Sequence, residues 1–210
     1  MSDTKEKILM TALQLFAQNG YEAVSVSAIA GMLGMTKGAL YRHYKNKREI
    51  FDRIVDRMIQ TDLECAKKHD VPEVTFDQSP EAYRSATMDK IKSFTLSQFQ
   101  FWTKNEFGRD FRKMVTLEQY RNPEIADWYQ KVLARGPVSY MEDLFREMMA
   151  QGILENSNPK QLAIDFYAPF YLLISMSDAP SDGENTVDLL TAHIENFIKR
   201  SCSKITFTVA

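Results

Sequence analysis

Residues 25–47, Ser-Val-Ser-Ala-Ile-Ala-Gly-Met-Leu-Gly-Met-Thr-Lys-Gly-Ala-Leu-Tyr-Arg-His-Tyr-Lys-Asn-Lys, constrain the fold of this chain more than any other stretch. Two short helical patterns meet at Gly34, and positive charge follows the second at once. Between Thr36 and Arg48 stand Lys37, Arg42, Lys45, Lys47, Arg48 and His43, with no acidic residue among them. A helix built to lie against a polyanion has this character, and a tight turn before it holds such a helix off the protein body.

Each half of the hairpin is readable residue by residue. Ser25 or Ser27 can accept from the first free N–H groups of a helix. Ile29, Ala30 and Leu33 then form one apolar stripe. Gly34 can adopt the left-handed conformation that ends a helix. Thr36 is placed to cap the next helix, with Met35 packing on Leu40 as a staple. Leu40 and Tyr44 point inward, which leaves Lys37, Gly38, Tyr41, Arg42 and Lys45 outside. Gly38 and Ala39 are small enough to let another surface approach closely. Taken alone, the charge run fits a solvated helical hairpin equally well.

The flanking residues decide between these readings. Residues 4–19 form an amphipathic helical pattern through Ile8, Leu9, Ala12, Leu13 and Phe16, with Asn19-Gly20 as its stop. The series Thr4, Ile8, Ala12, Leu15-Phe16, Gly20-Tyr21, Val24-Ser25, Ile29-Ala30, Leu33 to Gly38, Leu40-Tyr41, His43-Tyr44, Lys47 and Ile50-Phe51 resembles the N-terminal DNA-binding domain of the tetracycline-repressor (TetR) family of bacterial transcriptional regulators. The match runs without a gap over about sixty residues. Met35, where valine is commoner, and Gly31, within the second helix, are mild departures; Gly31 costs roughly 1 kcal/mol of helix propensity against Ala.

The resemblance implies an all-α protein: a helix-turn-helix DNA-binding domain over residues 1–62 (the motif itself 25–44), joined to an effector-binding and dimerisation domain over 63–205. It implies a homodimer on a double-stranded DNA operator and a cytoplasmic repressor released by a small, largely apolar or aromatic effector. Mapped onto this chain, the family's contact positions are Lys37, Gly38, Ala39, Tyr41, His43 and Lys47. Lys37 is best able to donate to a guanine edge, while Gly38, Ala39 and Tyr41 make close base and sugar contacts. Ser25, Ser27, Thr36, Tyr41, His43, Lys45 and Lys47 complete the DNA-facing set, mostly toward phosphates.

Charge is distributed to suit this. The net charge is −2, yet residues 1–60 hold nine Lys/Arg against six Asp/Glu, and the remainder seventeen against twenty-two. Positive charge concentrated on one face suffices for DNA. No apolar run approaches the roughly 20 residues that span a bilayer, and the N-terminus lacks a signal-peptide core. Cys65 and Cys202 stand far apart, as expected of a reducing compartment rather than a disulfide framework.

Beyond the motif the pattern stays helical, with about nine helices expected in all. Lys47 to about Lys68 reads as a connecting helix and residues 70–80 as a loop. Ser79-Pro80, Asn122-Pro123 and Asn158-Pro159 each combine a cap with proline at the first helical position. Gly136-Pro137 should kink or divide the segment 124–151. Helices follow over 159–176 and 184–200, with a turn at 177–184 and a short extended tail at Ile205 to Val209.

The second domain is rich in aromatic and Met side chains, which line apolar cavities as readily as they fill cores. The candidate effector-lining residues are Phe99, Trp102, Phe111, Trp128, Tyr129, Phe166, Tyr167, Phe170 and Tyr171. The last two helices match the family's dimerisation element, with Leu190, Ile194, Phe197 and Ile198 as candidate interface residues. Enzyme readings fail. His43, His69 and His193 have no metal-ligand spacing, and neither a phosphate-binding glycine loop nor a nucleophile motif occurs. No cofactor is implied. A helical adaptor that does not bind DNA is the alternative, distinguished by salt-dependent duplex binding.

Overall fold

The computed structural model describes residues 3–179 and 185–202. Among them are eleven helices: α1 (Asp3–Asn19), α2 (Val26–Met32), α3 (Lys37–Tyr41), α4 (Lys47–Lys68), α5 (Pro80–Arg84), α6 (Met88–Lys104), α7 (Glu106–Glu118), α8 (Pro123–Leu133), α9 (Arg135–Ala150), α10 (Pro159–Met176) and α11 (Thr186–Ser201). The described residues contain no strand, only an isolated bridge between Leu154 and Cys202. The expected tail at Ile205 to Val209 lies outside the described residues, as does the end of the turn at 177–184.

The fold is all-α as expected, with two helices more than nine, and local chemistry explains the difference. Ser79-Pro80 opens only the short α5, without a side-chain cap from Ser79. The chain restarts after Ser85-Ala86-Thr87, where the Thr87 hydroxyl accepts from the Lys90 amide at 3.3 Å. The segment 124–151 divides at Ala134, two residues before Gly136-Pro137. Pro137 therefore falls in the first turn of α9, where a missing N–H leaves no helical bond unmade. Asn122 and Asn158 cap α8 and α10 as expected, and Asn105 and Asn185 do the same for α7 and α11.

Contacts divide the chain into two compact units. The first comprises Met1–Leu63 and Lys104–Val132, the second Glu64–Thr103 and Leu133–Ala210. In the first unit, α1 buries Ile8, Leu9, Ala12, Leu13 and Phe16 completely, and α7 and α2 pack upon it. Arg57 hydrogen-bonds Glu6 and lies over the Phe107 ring at 4.5 Å. The turn after α1 favours glycine: at Gly20, φ is +85°, and an added Cβ would press on the Glu118 carboxylate.

The second unit has an aromatic centre. Phe145, Phe166 and Phe197 pack mutually at 4.9–5.5 Å between ring centroids. Phe99 meets Phe170 edge-on at 5.6 Å, and Phe170 stacks on Tyr167 at 5.2 Å. Offset and edge-to-face pairs of this kind contribute about 0.5–1.5 kcal/mol each beyond area burial. The buried phenols have partners: Tyr167 donates to the Leu133 carbonyl at 2.8 Å and Tyr83 to that of Val74 at 2.9 Å.

Two glycines of the helix-turn-helix should respond oppositely to substitution. Gly34 has φ +63° and Gly31 lies in α2, and an added Cβ meets nothing within 4 Å at either. Gly34→Ala should cost about 1–2 kcal/mol of backbone strain, whereas Gly31→Ala should stabilise by roughly 0.5–1 kcal/mol. Urea unfolding followed by circular dichroism measures both.

Candidate nucleic-acid interface

The turn between α2 and α3 is built from side-chain caps. Ser25 Oγ accepts from the Ala28 amide at 3.1 Å, and Thr36 Oγ1 from the Ala39 amide at 3.1 Å. Of the two serines considered, Ser25 is the cap. The hydroxyl hydrogens of Ser25 and Thr36 stay available for an acceptor. Gly34 turns the chain in the left-handed region, and the Met35 amide closes the turn on Ala30 at 3.0 Å.

Helix α3 is only five residues long, so its orientation depends on anchors. Leu40 is fully buried and Tyr44 nearly so. The Tyr44 hydroxyl donates to the Lys5 carbonyl of α1 at 3.1 Å, and burial, followed by Glu6, raises its pKa. With Leu40 and Tyr44 turned inward, Thr36, Lys37, Gly38, Tyr41, Arg42 and Lys45 are exposed, as are Ser25 and Ser27. Ala39 and His43 are half-buried. Lys37 lies over the Tyr41 ring at 5.7 Å.

The five cations after Thr36 are not equivalent. Arg48 forms a two-pronged pair with Glu124, both contacts at 2.5 Å, and a third contact with Asp52 at 2.7 Å. Hydrogen bonding to Glu124 first, then Asp52, raises its pKa. Lys47 is half-buried. Its ammonium donates to the Tyr21 carbonyl at 2.9 Å and that of Glu22 at 3.3 Å, over the Tyr21 ring at 4.3 Å. Among the described residues no carboxylate stands within ion-pair distance of Lys37, Arg42 or Lys45. These three carry the uncompensated charge of the face.

Sequence reading missed two supports of this site. Asn46 Oδ1 accepts from the Glu49 amide at 2.8 Å, and Glu49 accepts from the Lys45 amide at 2.6 Å. This near-reciprocal cap starts α4, and Asn-x-x-Glu before an apolar run was its visible signal. The Arg48–Glu124 pair joins residues 76 apart in sequence, and no local pattern announces it.

The other candidate residues are placed as follows. Phe111, Trp128 and Tyr129 belong to the first unit, and Phe99, Trp102, Phe166, Tyr167, Phe170 and Tyr171 to the second. On α11, Leu190, Ile194 and Phe197 are buried within their own unit, and Ile198 is half-buried. The apolar residues left exposed nearby are Ile164, Tyr171, Leu172 and Met176 on α10 and Leu189 on α11. The four on α10 recur at helical spacing along one face.

Residues 8–54 match the family model described as bacterial regulatory proteins, tetR family. The uncharacterized HTH-type transcriptional regulator YhgD of Bacillus subtilis (strain 168) is 24% identical over 195 residues, spanning 91% of this chain and 95% of that protein. The HTH-type transcriptional regulator AcrR of Shigella flexneri is 42% identical over 52 residues, 25% of this chain and 24% of that one. Among solved structures, the SmeT–triclosan complex superposes with a TM-score of 0.70 at 17% identity, covering 97% of this chain and 94% of the other. SmeT is the repressor of the Stenotrophomonas maltophilia multidrug efflux pump SmeDEF. Over residues 8–54 the chain is thus similar to bacterial regulatory proteins of the tetR family, and its relatives are transcriptional regulators rather than enzymes. Among the described residues no helix is long and apolar enough to cross a membrane.

Lys47 and Lys45 separate structural from exposed charge. Lys47→Met should destabilise the first unit by about 1.5–3 kcal/mol, since two carbonyls lose a charged donor. Lys45→Ala should change stability by less than about 0.5 kcal/mol. Differential scanning calorimetry of the two variants checks this.

Proposed function

We propose that the protein is a homodimeric, ligand-responsive repressor that binds a palindromic operator through α3 and is released by a small, largely apolar or aromatic effector. The observation that carries the reading is the exposed face of α3, where Lys37, Arg42 and Lys45 lack carboxylate partners among the described residues and flank a glycine.

In each subunit α3 enters a major groove. Lys37 donates to a guanine edge, and Gly38, Ala39 and Tyr41 approach bases and sugars. Ser25, Ser27, Thr36, His43 and Lys45 contact phosphates, joined by Arg42 from the same exposed surface. Lys47 has a double role: two of its hydrogens hold the α1–α2 loop, and the third reaches a phosphate. Operator DNA places the working protein in the cytoplasm.

One recognition helix with a few phosphate contacts binds weakly at physiological salt, so specificity requires two half-sites. The second copy docks on the α10–α11 face through Ile164, Tyr171, Leu172, Met176 and Leu189, because Leu190, Ile194 and Phe197 already serve the subunit's own core. The two α3 helices then lie about 34–36 Å apart, or a multiple of that. An effector in the second unit favours a state with the wrong separation, and its leverage is limited to its difference in affinity for the two states. The triclosan bound by SmeT supports an effector of apolar, aromatic character.

Selection from random duplexes should return a two-fold symmetric site whose affinity falls steeply with salt. Lys37→Ala should cost about 1–3 kcal/mol at one base position per half-site. Gly38→Ala should weaken operator binding while raising helix stability, since its Cβ would meet nothing closer than Thr36 Oγ1 at 4.0 Å. Equal losses on operator and random DNA for Lys37→Ala would remove base reading by that residue.

Dimerisation has its own measurement. Leu172→Glu on the exposed α10 face should yield folded monomers in sedimentation velocity, with operator binding lost. A dimer unchanged at low concentration would place the interface elsewhere.

A further inference from the structure

The interior of the second unit carries a feature that neither core packing nor DNA binding uses. Helix α6 turns Met88, Ile91, Thr95, Gln98, Phe99 and Trp102 inward. Thr95 is only 4% exposed, and its hydroxyl has no hydrogen-bond partner. A buried hydroxyl left unpaired is destabilising, because it has exchanged water for an apolar surround without compensation. A threonine within a helix ordinarily avoids this by bonding to a carbonyl one turn back. Thr95 does not.

Two further observations define what could meet that hydroxyl. Thr95 lies one helical turn before Phe99, on the face that meets α10, where Phe99 packs against Phe170 and Phe170 stacks on Tyr167. The same face of α6 thus meets aromatic rings one turn on from Thr95. It is also uncharged: among the described residues of the second unit no Asp, Glu, Lys or Arg is buried, and the buried polar side chains include Thr95, Gln98 and the phenols of Tyr83 and Tyr167. Its charges pair with one another outside the buried interior, as in Lys92–Glu195, Lys90–Asp70 and Arg146 with Glu142 and Asp143. A ligand that brought a formal charge to this face would leave it buried and uncompensated.

We propose that Thr95 is the polar anchor of the effector site, and that the effector is a neutral aromatic molecule with one hydroxyl, carbonyl or amide group at its edge. Phe99, Phe170 and Tyr167 flank its ring system while the Thr95 hydroxyl takes up its polar atom. The inference rests on the regulator reading above and specifies the chemistry of its ligand.

The test uses the full chain and three probes of one shape: naphthalenemethanol (neutral), naphthoate (anionic) and naphthylmethylammonium (cationic). Each is titrated calorimetrically into wild type, Thr95→Val and Thr95→Ser, and duplex binding is measured on the same samples. Naphthalenemethanol should bind wild type more tightly than either charged probe. Thr95→Val should weaken it by roughly two- to tenfold, and Thr95→Ser should retain it. Without ligand, Thr95→Val should melt roughly 2–4 °C higher, because a methyl replaces an unpaired hydroxyl. A structural threonine would give the opposite sign. The proposal is overturned if Thr95→Val melts lower, if it binds naphthalenemethanol as well as wild type does, or if a charged probe binds best. It is also overturned if naphthalenemethanol fails to bind while duplex binding persists, which leaves the regulator reading standing. Loss of duplex binding by wild type would instead remove that reading.

Discussion

A helix of five residues has no stability of its own, since nucleation is unfavourable and so few bonds follow it. Everything on the outer face of α3 therefore depends on what holds its inner face. Leu40 is sealed into the first unit, Tyr44 reaches a carbonyl of α1, and the Thr36 hydroxyl satisfies the first turn. With those anchors in place the exposed side chains can be cationic and the backbone can carry a glycine. Neither feature adds to folding, and both suit contact with a charged, grooved partner.

Charge in this region divides by what it touches. Arg48 is committed to Glu124 and Asp52, and Lys47 to two backbone carbonyls. Their work is to brace the start of α4 and the loop before α2. Lys37, Arg42 and Lys45 have no such commitment. An exposed ion pair contributes little in water, so the value of Arg48 lies in position more than in energy. The two-pronged contact fixes where the first turn of α4 begins, one residue after the Asn46 cap.

The helical elements were legible in the chain because each has strong local punctuation. Ser25, Thr36, Asn122 and Asn158 cap where their spacing says they should, and α4 and α10 run over the expected residues. One boundary was not legible. Ser79-Pro80 looked like the start of one long helix, yet the Thr87 cap eight residues on restarts the chain. The next segment divides beside Gly136-Pro137 as expected, at Ala134. On α11, Leu190, Ile194 and Phe197 are buried within their own unit, where Phe197 packs on Phe145 and Phe166.

The sequence by itself determined the helix-turn-helix and the sign of its outer face. Caps, the left-handed glycine and the i, i+4 anchors act within a few residues, and local chemistry can be read locally. Only the tertiary structure decided which lysine is a brace and which is free, which face of α10 stays uncovered, and that Thr95 lies buried without a partner. Those facts depend on residues tens of positions apart meeting in space: Lys47 with the Tyr21 carbonyl, Arg48 with Glu124, Phe99 with Phe170. A periodic pattern records that a side chain turns inward, but what it meets there depends on how the helices pack.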